Sequence, residues 1–219
     1  SVATAAGALY DVDTRLRPSG AQGPLAVSLD SFARYQREEA WTWEHMALTR
    51  ARVIFGSAIA REQAQAIIGS VLGQHRDAKQ VVSAATKMRA DIATHKPPKG
   101  SLDVKLGEGG LVDLEFAVQV TQLVHRQGLV PDLGRAIAQL AEAGLLGNEL
   151  SAAYRLLSCF LVTARLVAPD LELPSPPIRA LIARACDQPD WDSLVAALAQ
   201  VRQSVSEHWQ TISAVETGD

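Results

Sequence analysis

Cysteine, aromatic residues and an excess of positive charge are all missing or scarce in this chain of 219 residues. The two cysteines, Cys159 and Cys186, lack the spacing of a metal site, so we expect buried, reduced thiols in a cytoplasmic protein. Aromatic residues make up 5% of the chain, and the net charge is −3. Because nucleic-acid-binding domains usually carry a basic surface, this charge argues against that class of partner. No apolar run reaches the roughly 20 residues that span a bilayer, and no signal-peptide pattern opens the chain.

Hydrophobic residues are plentiful, at 47%, with alanine and leucine dominant, and this composition favours helices around a sizeable core. Apolar spacing and turn residues predict seven helices, over residues 58–74, 77–95, 111–127, 132–144, 147–167, 176–187 and 190–213. One more helix is predicted from Ser28 or Asp30 to about Phe55, with Gly56 as its stop. Residues 2–8 could end a helix, and residues 9–17 read as a strand. The expected fold class is therefore mainly α, an antiparallel helical bundle preceded by a short β/loop remnant.

The segment from Tyr10 to Gly20 has the most informative pattern in the sequence. Asp11, Asp13, Arg15 and Arg17 alternate with Val, Thr and Leu, so on a strand all four would line one face. Carboxylates bind divalent metals and guanidinium groups bind phosphate oxygens, a combination that suits phosphoryl or nucleotidyl transfer. The alternative is an exposed strand face with two salt bridges, and this segment alone leaves both open.

A glycine-rich loop over residues 95–110 leads into the predicted helix at 111, with a possible short extended piece over residues 103–106. Lys105 in this loop could reach either a phosphate or Asp103. On the helix, Asp113 and Glu115 point to nearly opposite sides, whereas Glu115, Gln119 and Gln122 share a face. Polar groups on so apolar a helix need partners, and the candidates are Arg15, Arg17, Arg50 and Arg52. Glu115 is then either an anchor between domains or a ligand contact.

Trp41, Trp43 and His45 fall within the predicted helix that ends near Phe55. Trp43 lies on its apolar face and is expected in the core, while Trp41 lies nearly opposite and is a candidate for packing under the strand remnant or against a partner. His45 has no second histidine or cysteine at ligand spacing, so we do not expect it to bind a metal.

Two blocks of sequence resemble the glutamine synthetase adenylyltransferase family, whose members add AMP to glutamine synthetase and remove it. The first block contains Tyr-Asp-Val-Asp-Thr-Arg-Leu-Arg-Pro-Ser-Gly and Ala-Trp-Thr-Trp-Glu-His, and the second contains Asp-Val-Lys, Gly-Gly and Asp-Leu-Glu-Phe. The resemblance covers residues 8–165. The run at residues 40–45 is similar to the C-terminal, adenylylating half of the family, whereas the sequence Lys-Leu-Gly at residues 105–107 is closer to the other half.

The resemblance implies that residues 1–57 are the C-terminal remnant of a nucleotidyltransferase α/β domain and that residues 58–219 form a helical bundle domain. It makes Asp13 the third metal-binding, catalytic carboxylate of that site, whose Gly-Ser and Asp-x-Asp elements lie in a segment this chain does not contain. It places Arg15 and Arg17 in the family's Arg-Leu-Arg-Pro-Ser-Gly signature, where one would contact phosphate or substrate and the other would pair with acids of the helical part. The alternative is that both only lock the strand to the bundle. The remaining candidates would support the site or tie the domains together: Asp11, Glu115, Gln119, Arg50 and Arg52.

By the same resemblance, the intact enzyme uses Mg²⁺ and ATP to attach AMP to a tyrosine of glutamine synthetase, and it responds to the PII signalling protein. No nucleic acid or membrane is implied. The chain, which begins at Ser1, is expected to be a fragment that is inactive alone. Two alternatives stay open. One is a non-catalytic helical module that docks glutamine synthetase or PII, and the other is the half that removes AMP by phosphorolysis.

Overall fold

The structure, a computed structural model, describes residues 3–4, 7–8, 13, 17–168 and 172–214. Its first elements are two very short antiparallel strands, β1 (Ala3–Thr4) and β2 (Gly7–Ala8). The prediction that residues 2–8 end a helix is therefore wrong. Gly7 adopts a φ of 106°, which is open to glycine but rarely to other residues, and the second strand begins there. The predicted strand over residues 9–17 lies almost wholly outside the described residues, and its two described positions are not in a strand.

Helices dominate the rest of the described chain and confirm a mainly α fold. They are α1 (Leu29–Glu38), α2 (Thr42–Leu48), α3 (Ala58–Leu72), α4 (Ala78–His95), α5 (Leu111–His125), α6 (Leu133–Glu142), α7 (Leu150–Val167), α8 (Pro176–Ala185) and α9 (Trp191–Ser213). The seven helices predicted after residue 57 are confirmed, with ends displaced by at most three residues. Several begin at a side chain that accepts a hydrogen bond from the backbone amide three residues on, as the N-cap rule expects. These caps are Ser57, Asp77, Asp132 and Asp190.

The prediction of a single helix from residue 28 to residue 55 is wrong, because one helix ends at Glu38 and a second one runs only from Thr42 to Leu48. Glu44 explains the break. Its carboxylate accepts the backbone amide of Trp41 at 2.9 Å and the Tyr35 hydroxyl at 2.9 Å. The first bond satisfies an amide that a continuous helix would have used, so a new helix begins at Thr42.

The break also changes which face of α2 is buried. Met46 and Leu48 point inward, with 2% and 8% of their surface exposed. Trp43 is 36% exposed, so its predicted place in the core is wrong, and Trp41 is 69% exposed at the start of the helix. The prediction assumed one helical phase from α1 through α2, and that phase is lost at the break.

α5 lies at the centre of the molecule and packs against α2, α4, α6, α7 and α9. Two hydrophobic clusters meet on it. Leu114 and Val118 belong to a cluster built with α6 to α9, whereas Phe116, Val120 and Leu123 belong to one built with α2, α3 and α4. An α-helix that is apolar on nearly every side is one that the rest of the fold surrounds. α5 therefore fixes the position of the glycine-rich loop that precedes it.

By length and composition alone, α7 could cross a membrane, and it is the one helix in the described part of the chain with that property. Its buried residues, however, form a single stripe: Leu150, Ala153, Leu157, Phe160 and Ala164. Spacings of three and four residues put this stripe on one face, and that face lies in the core with α8 and α9. This is the pattern of a helix packed on one side within a globular domain.

Candidate functional site

The loop over residues 96–110 is built of hydrogen-bonded turns rather than the short extended piece predicted over residues 103–106. Asp103 organises it. Its carboxylate is 4% exposed and accepts the backbone amides of Lys99, Lys105 and Leu106 at 3.0–3.1 Å. With its oxygens occupied by three amides, Asp103 holds the loop in one shape. The Lys105 side chain is exposed on the surface of this loop.

A buried ion pair fixes the end of the loop that enters α5. The Asp113 carboxylate is paired with the Arg89 guanidinium of α4, and it also accepts the Gly109 amide at 2.7 Å. Arg89 donates a further bond to the Leu106 carbonyl at 3.2 Å. The partner of this acid was not among the arginines proposed from the sequence. No local signal could have found Arg89, because it lies 24 residues away and meets Asp113 only when α4 packs on α5.

The C-terminal helix closes the loop from the other side. Arg202 of α9 donates to the carbonyls of Glu108 and Ser101, each at 3.0 Å. Gly109 adopts a φ of 66°, and a Cβ atom there would lie 1.9 Å from the Arg202 carbonyl oxygen. Only glycine fits so close an approach. α4, α5 and α9 thus hold a rigid loop that presents Lys105 to solvent.

Glu115 lies one turn from the loop and pairs with Arg50 at 3.1 Å, with side chains 30% and 46% exposed. The sequence had named Arg50 among its candidate partners, and the pair joins α5 to the segment after α2. Gln119 is 4% exposed on the same face of α5, whereas Arg52 is exposed. The Glu115 carboxylate therefore ties α5 to the segment after α2, and its predicted role between two domains stays a prediction.

A cavity of about 370 Å³ opens between α1 and α2 beside this pair. Its apolar lining consists of Phe32, Ala47, Leu48 and Ala51, and its polar lining of Gln36, Glu44 and Arg50. Below it, the His45 ring bridges α1 and the end of α3. One ring nitrogen contacts the Gln36 carbonyl at 2.8 Å and the other the Arg76 guanidinium at 3.4 Å. Burial, with the Arg76 charge also contributing, lowers the pKa of His45 below its ordinary value.

The N-terminal motif is described only in part. Asp11 and Arg15 lie outside the described residues, and Asp13 is exposed. Arg17 is half-buried, and its guanidinium donates to the carbonyls of Gly23 at 3.2 Å and Ala21 at 3.3 Å. These bonds close the Pro-Ser-Gly turn, so Arg17 has a structural role whatever else it contacts.

The predicted Mg²⁺ site can be tested against the donor set. Among the residues that the structure describes, no group of three or more histidine, cysteine, aspartate or glutamate side chains is placed to hold a metal ion. Asp103 and Asp113 are committed to loop amides and to Arg89, and Glu115 to Arg50. The described residues therefore do not form a Mg²⁺ site on their own, and Asp13 would supply one carboxylate at most.

Comparison with known proteins gives two family matches. Residues 1–67 match the family described as Glutamate-ammonia ligase adenylyltransferase, and residues 83–213 match the family described as GlnD PII-uridylyltransferase. Curated relatives named "Bifunctional glutamine synthetase adenylyltransferase/adenylyl-removing enzyme" include one from Mesorhizobium japonicum, 41% identical over 94% of this chain and 22% of its own length. The relative from Xanthobacter autotrophicus is 43% identical over 92% of this chain and 22% of its own length. The relative from Agrobacterium fabrum is 52% identical over 61% of this chain and 13% of its own length. The chain spans about a fifth of the length of such relatives.

Proposed function

The chain belongs to the family described as GlnD PII-uridylyltransferase, whose model covers residues 83–213. We propose that it is part of an enzyme that adenylylates glutamine synthetase. The observation that carries the proposal is the match of residues 1–67 to the adenylyltransferase family, because this stretch contains the segment with Asp13, Arg15 and Arg17. Its homologues are glutamine synthetase adenylyltransferases, about 40% identical over nearly all of this chain.

In the proposed reaction, a tyrosine oxygen of glutamine synthetase attacks the α-phosphate of ATP, and pyrophosphate leaves. Charge that develops on the phosphate oxygens needs cationic donors close by. We assign the neutralisation of this charge to Arg15, Arg17 and Lys105. The ordered loop supports the assignment of Lys105, because its backbone need not be ordered further when the side chain binds an anion.

Asp13 is the residue to which we assign a carboxylate of the nucleotide site. The described residues do not hold Mg²⁺ unaided, so a metal would need further ligands beyond them. We therefore propose that this chain alone does not transfer AMP. An assignment to the adenylylating half and regulation by PII belong to the same proposal, and both rest on the resemblance of residues 40–45 and of the N-terminal motif. A cytoplasmic location is also proposed, on the ground that Cys159 and Cys186 are free thiols.

The test is Mg²⁺-dependent ATP binding by calorimetry, with the wild-type chain and three variants. Mg²⁺-dependent binding by wild type that Asp13→Asn loses would support Asp13 as part of the nucleotide site, and Lys105→Ala should weaken that binding with or without the metal. No binding by wild type, with a stable helical circular dichroism spectrum, would mean that the metal site needs residues outside this chain. Asp91→Asn, an exposed acid of α4, is the matched control and should bind like wild type. If Asp13→Asn binds as well as the control, Asp13 is not part of the nucleotide site.

A transfer assay separates the activities. The chain is incubated with ATP, Mg²⁺ and glutamine synthetase, and AMP on the target is measured by intact mass. We expect no AMP transfer by this chain, and transfer would overturn the proposal of inactivity. Release of ADP from adenylylated glutamine synthetase in the presence of phosphate would instead identify the adenylyl-removing half.

A second candidate function is a helical module that docks glutamine synthetase or PII. Exposed apolar side chains around α2 and the start of α3 favour it, since Trp41, Ile54, Phe55 and Ile59 are 69–91% exposed. Exposed apolar side chains are typical of interaction sites where they form one patch. Binding to either protein without nucleotide, lost in Phe55→Ser, would support docking over catalysis.

A further inference from the structure

Two cysteine sulfurs lie in contact between α7 and α8. Cys159 is on α7, Cys186 is the residue that ends α8, and their Sγ atoms are 3.6 Å apart. Both are free thiols. A disulfide bond brings the sulfurs to about 2.0 Å, so a closing movement of about 1.5 Å would join them. No local sequence pattern pointed to this pair, because the cysteines are 27 residues apart.

The two thiols differ in environment. Cys186 is 5% exposed, and burial together with its hydrogen bond to Cys159 raises the pKa of its thiol to about 12. Cys159 is half-buried, and it lines an open cavity of about 370 Å³ with Arg155 and Asp187. An external reagent can therefore reach Cys159 before it reaches Cys186.

Hydrogen bonds already orient the pair. The Cys186 thiol donates to the Cys159 sulfur, and the Cys159 thiol donates to the Ala185 carbonyl at 3.1 Å. The end of α8 is also a place where the backbone can adjust, because Asp187 takes a φ of 57° and reverses the chain there. A small movement of a helix end is easier than movement within a helix, where every amide is bonded on both sides.

We propose that Cys159 and Cys186 form a dithiol modification site that a hydroperoxide converts to an intramolecular disulfide. The Cys159 thiolate attacks the peroxide oxygen, the O–O bond breaks and an alcohol or water leaves, so Cys159 becomes a sulfenic acid. The Cys186 sulfur then attacks the Cys159 sulfur, and the sulfenic oxygen leaves as water with the Cys186 proton. The two thiols lose two electrons and the peroxide gains them. The bond would fix the end of α8 on α7, and the proposal is independent of the nucleotidyltransferase assignment.

The experiment treats the whole chain with graded hydrogen peroxide and measures intact mass and peptide maps without reduction. Wild type should lose two hydrogen atoms and yield one peptide that links the two cysteines, before sulfinic acid forms. Cys186→Ala should instead gain one oxygen at Cys159 that dimedone traps, and Cys159→Ser should stay unoxidised at Cys186. A disulfide between two chains, or stable oxidation of Cys159 beside a free Cys186 in wild type, would overturn the proposal.

A second probe uses untreated wild type, so it does not depend on the folding of the variants. Phenylarsine oxide binds two thiols when both can reach one arsenic atom. We expect one equivalent to bind wild type and to protect both cysteines from alkylation, with reversal by a small dithiol. Alkylation of either cysteine at the rate of the unbound protein would contradict the proximity on which the inference rests.

Discussion

Replacing Asp113 by asparagine should destabilise this chain more than the same change at any exposed acid. The Asp113 side chain is 4% exposed and that of its partner Arg89 is 12% exposed. Asparagine keeps the shape but leaves the guanidinium without its counter-charge in a site closed to water. Removing one member of a buried ion pair costs about 3–5 kcal/mol. Because Arg89 keeps its bond to the Leu106 carbonyl, we expect the lower end of this range, about 3 kcal/mol.

Thermal unfolding followed by the helical circular dichroism signal measures this effect. For a chain of this size, about 1 kcal/mol corresponds to about 2–4 °C, so Asp113→Asn should lower the melting temperature by about 6–12 °C. Glu115→Gln is the matched control, because it also removes a carboxylate of α5 from an arginine, but in a pair whose side chains are 30% and 46% exposed. Solvent screening limits such a pair to about 0–1 kcal/mol. Equal melting temperatures for the two variants would refute the reasoning.

A double variant identifies the cause of the loss. If the damage comes from an unpaired buried charge, replacing Arg89 by methionine in the Asp113→Leu background should recover much of the stability, as apolar replacements of buried pairs often do. The Gly109 amide would still lack its acceptor in that variant. Its hydrogen exchange should therefore remain faster than in wild type even when the melting temperature recovers. Slow exchange there would mean that the loop does not depend on the carboxylate.

Three further predictions concern other parts of the fold. Gly109→Ala should lower the melting temperature by several degrees or prevent folding, because the added Cβ atom has no room. Gly69→Ala in α3, where the space around the Cβ position is open, should raise stability by about 0.5–1 kcal/mol. A higher melting temperature for Gly109→Ala than for Gly69→Ala would contradict this. Neutral His45 contributes stability that is fully present above its unfolded-state pKa of 6.5 and is lost as pH falls below it, so melting temperatures should drop below pH 6.5 in wild type and less in His45→Gln. Leu157→Ala should cost about 2–5 kcal/mol and Leu166→Ala, at 78% exposure, less than about 0.5 kcal/mol. Similar urea midpoints for both would mean that α7 does not pack through the buried stripe that contains Leu157.

The helices after residue 57 could be predicted because several local signals agree there. Apolar residues recur at spacings of three and four, and the side chains that begin helices, such as Ser57 and Asp132, stand directly before them. Pro176 at the first turn of α8 adds a third kind of signal. The division into domains at residue 57 stays a prediction, and so do the roles of Asp11 and Arg15.

The helix break near Trp41 shows where the same signals mislead. Apolar residues at 32, 35, 43 and 47 fit one continuous helix, and no glycine or proline interrupts them. The break depends on Glu44, whose carboxylate bonds to a backbone amide and a tyrosine hydroxyl nine residues away in sequence from it. The second contact exists only once α1 and α2 fold against each other, so a periodicity argument had no access to it.

The two acids of α5 show the same limit at the candidate site. Helical geometry placed Asp113 and Glu115 on nearly opposite sides, and the structure confirms this, with one acid facing the loop and Arg89 and the other facing Arg50. Sequence could not tell which acid is buried, because burial depends on α4 and α9 closing over the loop. Once they close, the Asp103 and Asp113 carboxylates are used to hold backbone amides, and neither is left to bind a metal ion. Lys105 is exposed on the surface of the same loop, and its role as an anion contact stays a prediction.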